Sequence, residues 1–380
     1  MITDLVRQRP WPVAVVAASA LALAGCGGGT STASAGGAGT SPYVVDAKAA
    51  VAAAQQLQTT WTGPSSSPTP QRGATVIYVS SDQNNPFASS FGTYFQEAAA
   101  KLGWKASIID GKGTPSGWSD GLRQAIASKP NAIVTSAQSP SVQQPLAQAA
   151  AAGIPVLGLH SAAVPGPDPA HHLFTNLTSD PAAAGKVMVD WAVADSGGNA
   201  HIVLVGDDQY PVSNVKRDAM VAAVKACSGC TLEKNANVPV GTAATDLPTQ
   251  LTSWLQSYPK PLYVLSVADF YFDVGLSSLK NLNVPKNDLR LAATDGTKQA
   301  YQRVRSGEYQ LVTVPEPTEL LAWQAVDEAN RALNHQPPST FTQPIYLVTK
   351  SNIDSQGGAQ DQFFPQNDYK SHYQHLWKLS

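Results

Sequence analysis

The chain has 380 residues, of which 43% are hydrophobic and 14% are charged, and its formal net charge is -2 at pH 7. This length and composition suit two globular domains with substantial cores. The near-neutral charge and the lack of any run of basic residues argue against a nucleic-acid-binding surface.

The first 26 residues have the pattern of an exported lipoprotein. A short, weakly basic start precedes an apolar stretch from Pro12 to Ala24, which is shorter than the roughly 20 residues that a membrane-spanning helix needs. Small residues directly before Cys26 resemble the bacterial lipobox. We predict that residues 1–25 are a signal peptide, that Cys26 carries a lipid and that the protein lies on the outer face of the cell membrane. The alternative is an ordinary secretory signal with an incidental cysteine.

Residues 26–71 have the composition of a tether. The segment from Gly27 to Pro42 is rich in Gly, Ser, Thr and Ala, which is typical of a flexible linker. Val44 to Gln58 is rich in alanine and could form a short helix. We therefore expect residues 26–71 to connect the lipid to a folded body that begins near residue 72.

A regular alternation of strands and helices begins at Thr75. Short apolar runs predict strands at 75–79, 106–109, 132–135, 155–159, 171–175, 201–205, 262–265 and 289–293. The first helix starts at Asn85-Pro86 and ends at Gly103. Amphipathic patterns predict the further helices 119–128, 142–152, 213–226, 271–280 and 297–306. The alternation breaks near Thr175-Asn176, and its two blocks predict two lobes, each a parallel sheet with helices on both faces.

The remaining cysteines stand close together, in Cys227-Ser228-Gly229-Cys230. In an exported protein this spacing favours a local disulfide that closes the turn after a helix. A redox-active pair would need a thioredoxin-like setting, which the neighbouring sequence lacks. A metal site would need two more ligands nearby. We therefore predict a structural disulfide and no metal.

The segment from Ser81 to Phe87, Ser-Asp-Gln-Asn-Asn-Pro-Phe, resembles the ribose-type periplasmic binding proteins, the solute receptors of ABC importers. In that family the first strand runs into Asn-Asn-Pro-Phe. Further segments agree in order and spacing, namely Glu97–Gly103, Ala151–Leu159, Thr294-Asp295-Gly296 and Val304–Glu308. Together they cover roughly residues 75–350.

The resemblance implies the type I fold, in which two doubly wound parallel-sheet lobes are joined by a three-segment hinge. The crossings would fall near Asn176, Glu316 and Pro344. The N-lobe would comprise residues 72–176 and 317–344, and the C-lobe residues 177–316 and 345–380. We expect the aromatic tail from Phe363 to Trp377 to pack on the C-lobe.

The family binds its ligand between the lobes, at the carboxyl ends of the strands. Side chains that follow predicted strands are therefore candidate ligand contacts: Asn85, Phe87, His160, Ser161, Asp207, Tyr210, Asp269, Phe270 and Asp295. Glu316 is a further candidate, because it lies between two prolines at a predicted crossing. Alternative roles are a helix cap for Asn85 and Asp295, core packing for Phe87, a satisfied strand-end residue for His160 and a hinge element for Glu316.

Several positions differ from the ribose receptors. His160 and Ser161 replace an Asp-Arg pair, and Ala88 replaces a second stacking aromatic residue. The second family arginine aligns with Val215, and we expect the neighbouring Lys216 and Arg217 to face outward. Specificity for ribose is therefore not expected. A hydroxylated small molecule, a sugar or a polyol, remains the expected ligand.

The sequence lacks a Gly-x-Ser-x-Gly elbow and a Walker loop, so we expect neither an enzyme nor a cofactor. The predicted function is that of a monomeric, lipid-anchored solute receptor that closes around its ligand and delivers it to an ABC permease. A sensory receptor of the same fold, signalling to a membrane partner, is the alternative.

Overall fold

The computed structural model describes residues 41–276, 279 and 283–379. The predicted signal peptide, Cys26 and the tether up to residue 40 lie outside the described residues. No helix in the described ranges is long and apolar enough to cross a membrane.

The strands form two six-stranded sheets. The first sheet has the order β2-β1-β3-β4-β6-β5 and the second the order β12-β11-β10-β9-β7-β8, and all pairs are parallel except those of the edge strands β5 and β12. The strands of the first sheet are β1 (Thr75–Ser80), β2 (Lys105–Asp110), β3 (Ala132–Thr135), β4 (Val156–Leu159), β5 (Gly166–Asp168) and β6 (Leu173–Leu177). Those of the second sheet are β7 (His201–Gly206), β8 (Thr231–Asn237), β9 (Leu262–Ser266), β10 (Leu289–Asp295), β11 (Gln310–Pro315) and β12 (Val348–Thr349).

Helices cover both faces of each sheet. They are α1 (Pro42–Ala54), α2 (Pro86–Lys101), α3 (Pro115–Ala127), α4 (Gln143–Ala151), α5 (Pro181–Ser196), α6 (Pro211–Ala226), α7 (Ala243–Ser257), α8 (Phe270–Gly275), α9 (Lys298–Ser306), α10 (Thr318–Leu333) and α11 (Tyr369–Leu376). The central strands are buried on both faces, which explains why their sequences are continuous apolar runs. The edge strand β8 buries only Ala236, so no apolar run marks it in the sequence.

The chain passes repeatedly between the two lobes. It crosses between β6 and α5, between β11 and α10, and again between α10 and β12. Helix α10 packs against α2 in the first lobe although β11 and β12 on either side of it belong to the second sheet. These crossings lie at the meeting place of the two sheets.

Residues 42–71 are part of the folded body, which corrects the expectation of a tether through residue 71. Helix α1 packs on α5 in the second lobe, where Val44 is buried and the Tyr43 hydroxyl donates to the carbonyl oxygen of Ala223 at 3.0 Å. Trp61 then stacks on His372 with ring centroids 5.1 Å apart, and Ser67 donates to Asp327 Oδ1 at 2.5 Å. An alanine-rich composition does not distinguish a linker from a helix that packs closely on a neighbour.

The aromatic tail divides between the lobes. Phe363 packs on Tyr346 in the second lobe, as expected, but the helical part of the tail packs on the first lobe, where the expectation is wrong. Tyr369, Tyr373 and Trp377 recur at a spacing of four residues and face one side of the tail. Trp377 stacks on Trp323 of α10 with ring centroids 5.3 Å apart, and its indole donates to Asp327 Oδ1 at 2.9 Å. The preceding segment remains with the second lobe.

The expected disulfide joins Cys227 and Cys230 directly after α6. The Cys230 backbone N–H also donates to the carbonyl oxygen of Cys227 at 3.1 Å, which closes a tight turn. The pair lies at the opposite end of α6 from the strand-end loops described below. Its role is therefore structural.

Candidate functional site

Loops that follow the carboxyl ends of strands in both sheets meet between the lobes. His160 follows β4 of the first sheet and Glu316 follows β11 of the second, and His160 Nε2 lies 4.0 Å from Glu316 Oε1. Asp295 ends β10 on the same edge of the second sheet. We call this region the interlobe cleft. It is bounded by the loops after β1, β3, β4, β6, β10 and β11 and by the start of α6.

Phe87 and His160 form a stacked pair on the first-lobe side of the cleft. Their ring centroids are 4.9 Å apart and the ring planes differ by 11°. Asn85 positions Phe87, because its side-chain oxygen accepts the backbone N–H groups of Phe87 and Ala88 and so caps α2. The capping role considered for Asn85 is therefore present, and one face of Phe87 is covered by the imidazole.

His160 is held as a neutral imidazole. Burial, together with the nearby Lys216 ammonium, lowers its pKa to about 3, and the Asp295 carboxylate opposes the shift. Its Nε2 atom is buried and has no hydrogen-bond partner among the described residues. A neutral imidazole nitrogen can donate to or accept from a hydroxyl group.

Glu316 is a buried carboxylate at the crossing between β11 and α10. It is 4% exposed, and the Ser179 hydroxyl donates to its Oε1 at 2.6 Å. Its Oε2 has no hydrogen-bond partner among the described residues. Because Ser179 lies at the crossing between β6 and α5, Glu316 also joins two hinge segments.

Lys216 points into the cleft, so the expectation that it faces outward is wrong. It is 4% exposed, and its Nζ donates to Thr294 Oγ1 at 2.8 Å. Burial raises the pKa of Asp295, the Lys216 ammonium opposes that rise and the Glu316 carboxylate adds to it. Lys216 stands four residues before the buried Met220, a helical spacing in the sequence that would have placed it on the inner face of α6. Arg217 is also buried and pairs with Asp208.

Further buried polar atoms at the first sheet's carboxyl edge have no partner among the described residues. They are Gln83 Nε2, Gln138 Oε1, Ser139 Oγ and Thr178 Oγ1. Most buried polar groups in proteins are hydrogen-bonded. The concentration of unpartnered donors and acceptors at one edge is therefore typical of a binding site for a polar molecule.

Asp269 is buried and accepts hydrogen bonds from four donors of the protein, and its role as a ligand contact stays a prediction. Its Oδ2 accepts from Gly296 N at 2.8 Å, Thr297 N at 3.0 Å and Thr313 Oγ1 at 3.0 Å. Its Oδ1 accepts from Gln310 Nε2 at 2.6 Å. The hydrogen bonds from Gly296 and Thr297 fix the loop that follows Asp295, and those from Thr313 and Gln310 join Asp269 to β11.

Ser161 and Asp207 also hold their own loops. The Ser161 hydroxyl donates to the carbonyl oxygen of Thr135 at 2.7 Å. Both carboxylate oxygens of Asp207 accept backbone N–H groups, from Gln209 and Val240, each at 2.9 Å. These hydrogen bonds fix the two loops, and direct contact of Ser161 or Asp207 with a ligand stays a prediction.

Tyr210 and Phe270 are aromatic residues on the second-lobe side. Tyr210 lies edge-on to Trp118 of the first lobe with ring centroids 6.3 Å apart, so it bridges the lobes. Burial raises the pKa of Tyr210 to about 12, and the carboxylates of Asp207 and Asp82 add to that effect. Phe270 begins α8 and is half-buried.

The described residues contain no group of three or more His, Cys, Asp or Glu side chains arranged to hold a metal ion. A cavity of about 770 Å³, lined by Glu319, Phe364, Tyr369 and neighbouring residues, shares none of the cleft residues above. Its Glu319 carboxylate is already engaged by Tyr369 and Lys370. The interlobe cleft is therefore the better candidate site.

Comparison with known proteins agrees with this architecture. The family model of a periplasmic binding protein domain matches residues 76–337. An ABC transporter solute-binding protein from Mycobacterium smegmatis with bound glycerol has a TM-score of 0.66 and 20% identity, over 75% of this chain and 96% of that chain. One from Agrobacterium vitis with bound α-D-tagatopyranose has a TM-score of 0.68 and 16% identity, over 76% and 99%.

A third ABC transporter solute-binding protein, from Bacillus halodurans with bound myo-inositol, has a TM-score of 0.63 and 17% identity, over 76% of this chain and 98% of that chain. No curated protein matches the sequence significantly. At these identities the solved structures establish the shared fold, while the family model covers most of the chain.

Proposed function

Since the chain belongs to the family of periplasmic binding protein domains, we propose that it is the solute receptor of an ABC importer and captures a sugar or polyol. The family is extracytoplasmic, and so is this chain. We further propose that a lipid on Cys26 holds it at the outer face of the membrane. Replacing Cys26 with serine should move the protein from the membrane fraction to the soluble fraction, and retention of the variant would contradict the anchor.

The observation that carries the proposal is the set of buried, unpartnered polar atoms between the lobes. His160 Nε2, Glu316 Oε2 and Gln138 Oε1 are buried and free of protein partners among the described residues. The hydroxyl groups of a sugar or polyol can both donate to and accept from such atoms. The similar structures are described with glycerol, tagatopyranose or inositol bound, and all three are polyhydroxylated.

In the proposed mechanism, ligand hydroxyls bridge groups of the two lobes. His160 belongs to the first lobe and Asp295 to the second, so a molecule bound to both favours the closed arrangement. Closure removes water from the hydrogen bonds to charged groups, which contribute about 1.5–3 kcal/mol each. The closed form is then what an ABC permease would receive.

A thermal-shift screen of the full chain in detergent against sugars and polyols tests the proposal. A ligand at 100 times its Kd stabilises the folded state by about 2.7 kcal/mol, a visible rise in Tm. Asp295→Ala and Phe87→Ala should abolish that rise, whereas the exposed-site variant Glu97→Gln should retain it. Absence of any shift in cooperatively unfolding protein would contradict the proposed ligand class.

A further inference from the structure

Glu316 is a buried carboxyl group to which the described residues offer no permanently charged cation as a partner. Among the described residues, the basic group within ion-pair distance is His160, whose Nε2 lies 4.0 Å from Oε1. That imidazole is neutral at pH 7, since burial lowers its pKa to about 3. Ser179 supplies a neutral hydroxyl to Oε1, and Oε2 has no partner in the described part of the chain. A buried charge without a counter-charge is costly.

The other cations of the cleft are committed elsewhere. Lys216 Nζ donates to Thr294 Oγ1 at 2.8 Å and approaches the carbonyl oxygen of Val267 at 3.4 Å. Its ammonium lowers the pKa of Asp295, against the effect of burial. No ion pair within 4.0 Å joins Lys216 to Glu316 in the described ranges. Arg217 binds Asp208 and the carbonyl oxygen of Ala236. One ammonium therefore faces two carboxylates, Asp295 and Glu316.

We propose that the preferred ligand carries an ammonium group on a hydroxylated carbon frame, as amino sugars and amino polyols do, and that Glu316 binds that group. This inference rests on the proposed function and names the chemical class of its ligand. The ammonium donates to Glu316 Oε2 and supplies the missing positive charge. The hydroxyl groups bind the unpartnered side chains at the first sheet's edge, including Gln138 and Ser139.

A neutral polyol can form the hydrogen bonds but does not neutralise the Glu316 carboxylate. Its hydroxyl can donate to Oε2, yet the cleft then keeps one more carboxylate than cation. An ammonium adds Coulombic attraction to the hydrogen bond with the carboxylate, and that attraction is stronger in a buried site of low dielectric than in water. The structure thus favours the aminated ligand over its hydroxyl counterpart of the same shape.

Isothermal titration calorimetry of the full chain in detergent with matched pairs tests this preference. The pairs are sorbitol with 1-amino-1-deoxysorbitol, glucose with 2-amino-2-deoxyglucose, and myo-inositol with an amino-inositol; 2-acetamido-2-deoxyglucose serves as an uncharged amide control. We expect at least one aminated member to bind on the order of tenfold tighter than its hydroxyl partner. Glu316→Gln should abolish that preference, and the surface variant Glu308→Gln should preserve it.

A second measurement avoids dependence on the folding of the Glu316 variant. Above the pKa of the ligand amine, the wild-type protein should lose the preference, because the amine is then uncharged. If the hydroxyl compound of every pair binds as tightly as the aminated compound, this inference is overturned and the receptor function is left intact. Failure of both members of every pair to bind folded protein would overturn the proposed function as well.

Discussion

His160 and Asp295 face the same cleft from different lobes, and both have a left-handed backbone. Their φ angles are +53° and +105°, values that residues other than glycine rarely adopt. Such conformations cost free energy and persist only where surrounding contacts enforce them. Asp269 supplies such contacts by binding the two backbone N–H groups that follow Asp295. The protein therefore holds its polar side chains in place before any ligand arrives.

Glu328 on α10 should make stability depend on pH. Burial raises its pKa from 4.5 to about 7, against the lowering effect of the Ser339 hydroxyl. Because the folded state holds the proton more tightly, the stabilisation is complete below pH 4.5 and is lost as the pH rises through 7. Glu328→Gln does not titrate, so its unfolding free energy relative to wild type should increase by roughly 3 kcal/mol between pH 4.5 and 8.

Urea unfolding at several pH values measures this difference. The exposed variant Glu97→Gln is the matched control for the same substitution on the surface. A pH-independent difference for Glu328→Gln would mean that Glu328 titrates normally in the folded protein.

At the scale of the element, α11 is fastened by aromatic packing. Trp377 is 1% exposed, stacks on Trp323 and donates to Asp327. Trp377→Ala should lower the unfolding free energy by about 3–5 kcal/mol, since it leaves a cavity and removes one of the two donors to Asp327 Oδ1. Denaturant unfolding measures this loss, and Leu379→Ala, which truncates an exposed side chain of the tail, is the control. If Trp377→Ala were as stable as Leu379→Ala, the tail would not pack on the first lobe.

At the scale of the whole molecule, the described part of the chain has two connections between the lobes beyond the three of the predicted hinge. The chain runs from α1 on the second lobe to Trp61 on the first, and the tail returns to the first lobe at α11. The backbone N–H of Leu347 in the hinge donates to the carbonyl oxygen of Ala54 at 2.9 Å. Opening of the lobes must therefore move these segments together with the hinge.

Removal of the first connection should destabilise the protein. A chain that begins at Arg72 lacks the buried Val44 and Ala47 and the ring of Trp61 that packs on Phe341 and His372. Compared with a chain that begins at Ser41, it should lose at least about 3 kcal/mol of unfolding free energy. Calorimetry of the two chains checks this, and identical Tm values would restore the interpretation of residues 41–71 as a tether.

The family and the two-lobed fold were predictable from short segments of sequence, and both predictions are confirmed. The family is one of binding proteins, so the prediction that the chain is not an enzyme is also confirmed. Their positions after predicted strands identified His160 and Asp295 as candidates, because the carboxyl ends of parallel strands share one edge of a sheet. Glu316 was identified by its position at a predicted crossing. These inferences needed only local patterns and their order.

Tertiary structure decided the rest. Lys216 enters the cleft because α6 turns that face toward Thr294, and the four donors around Asp269 come from distant segments. The lobe on which α1 or α11 packs is the one that offers a matching apolar surface. Local sequence determines where strands and helices form through hydrophobic periodicity, whereas partners far along the chain decide which polar groups are satisfied within the protein and which stay available for a ligand.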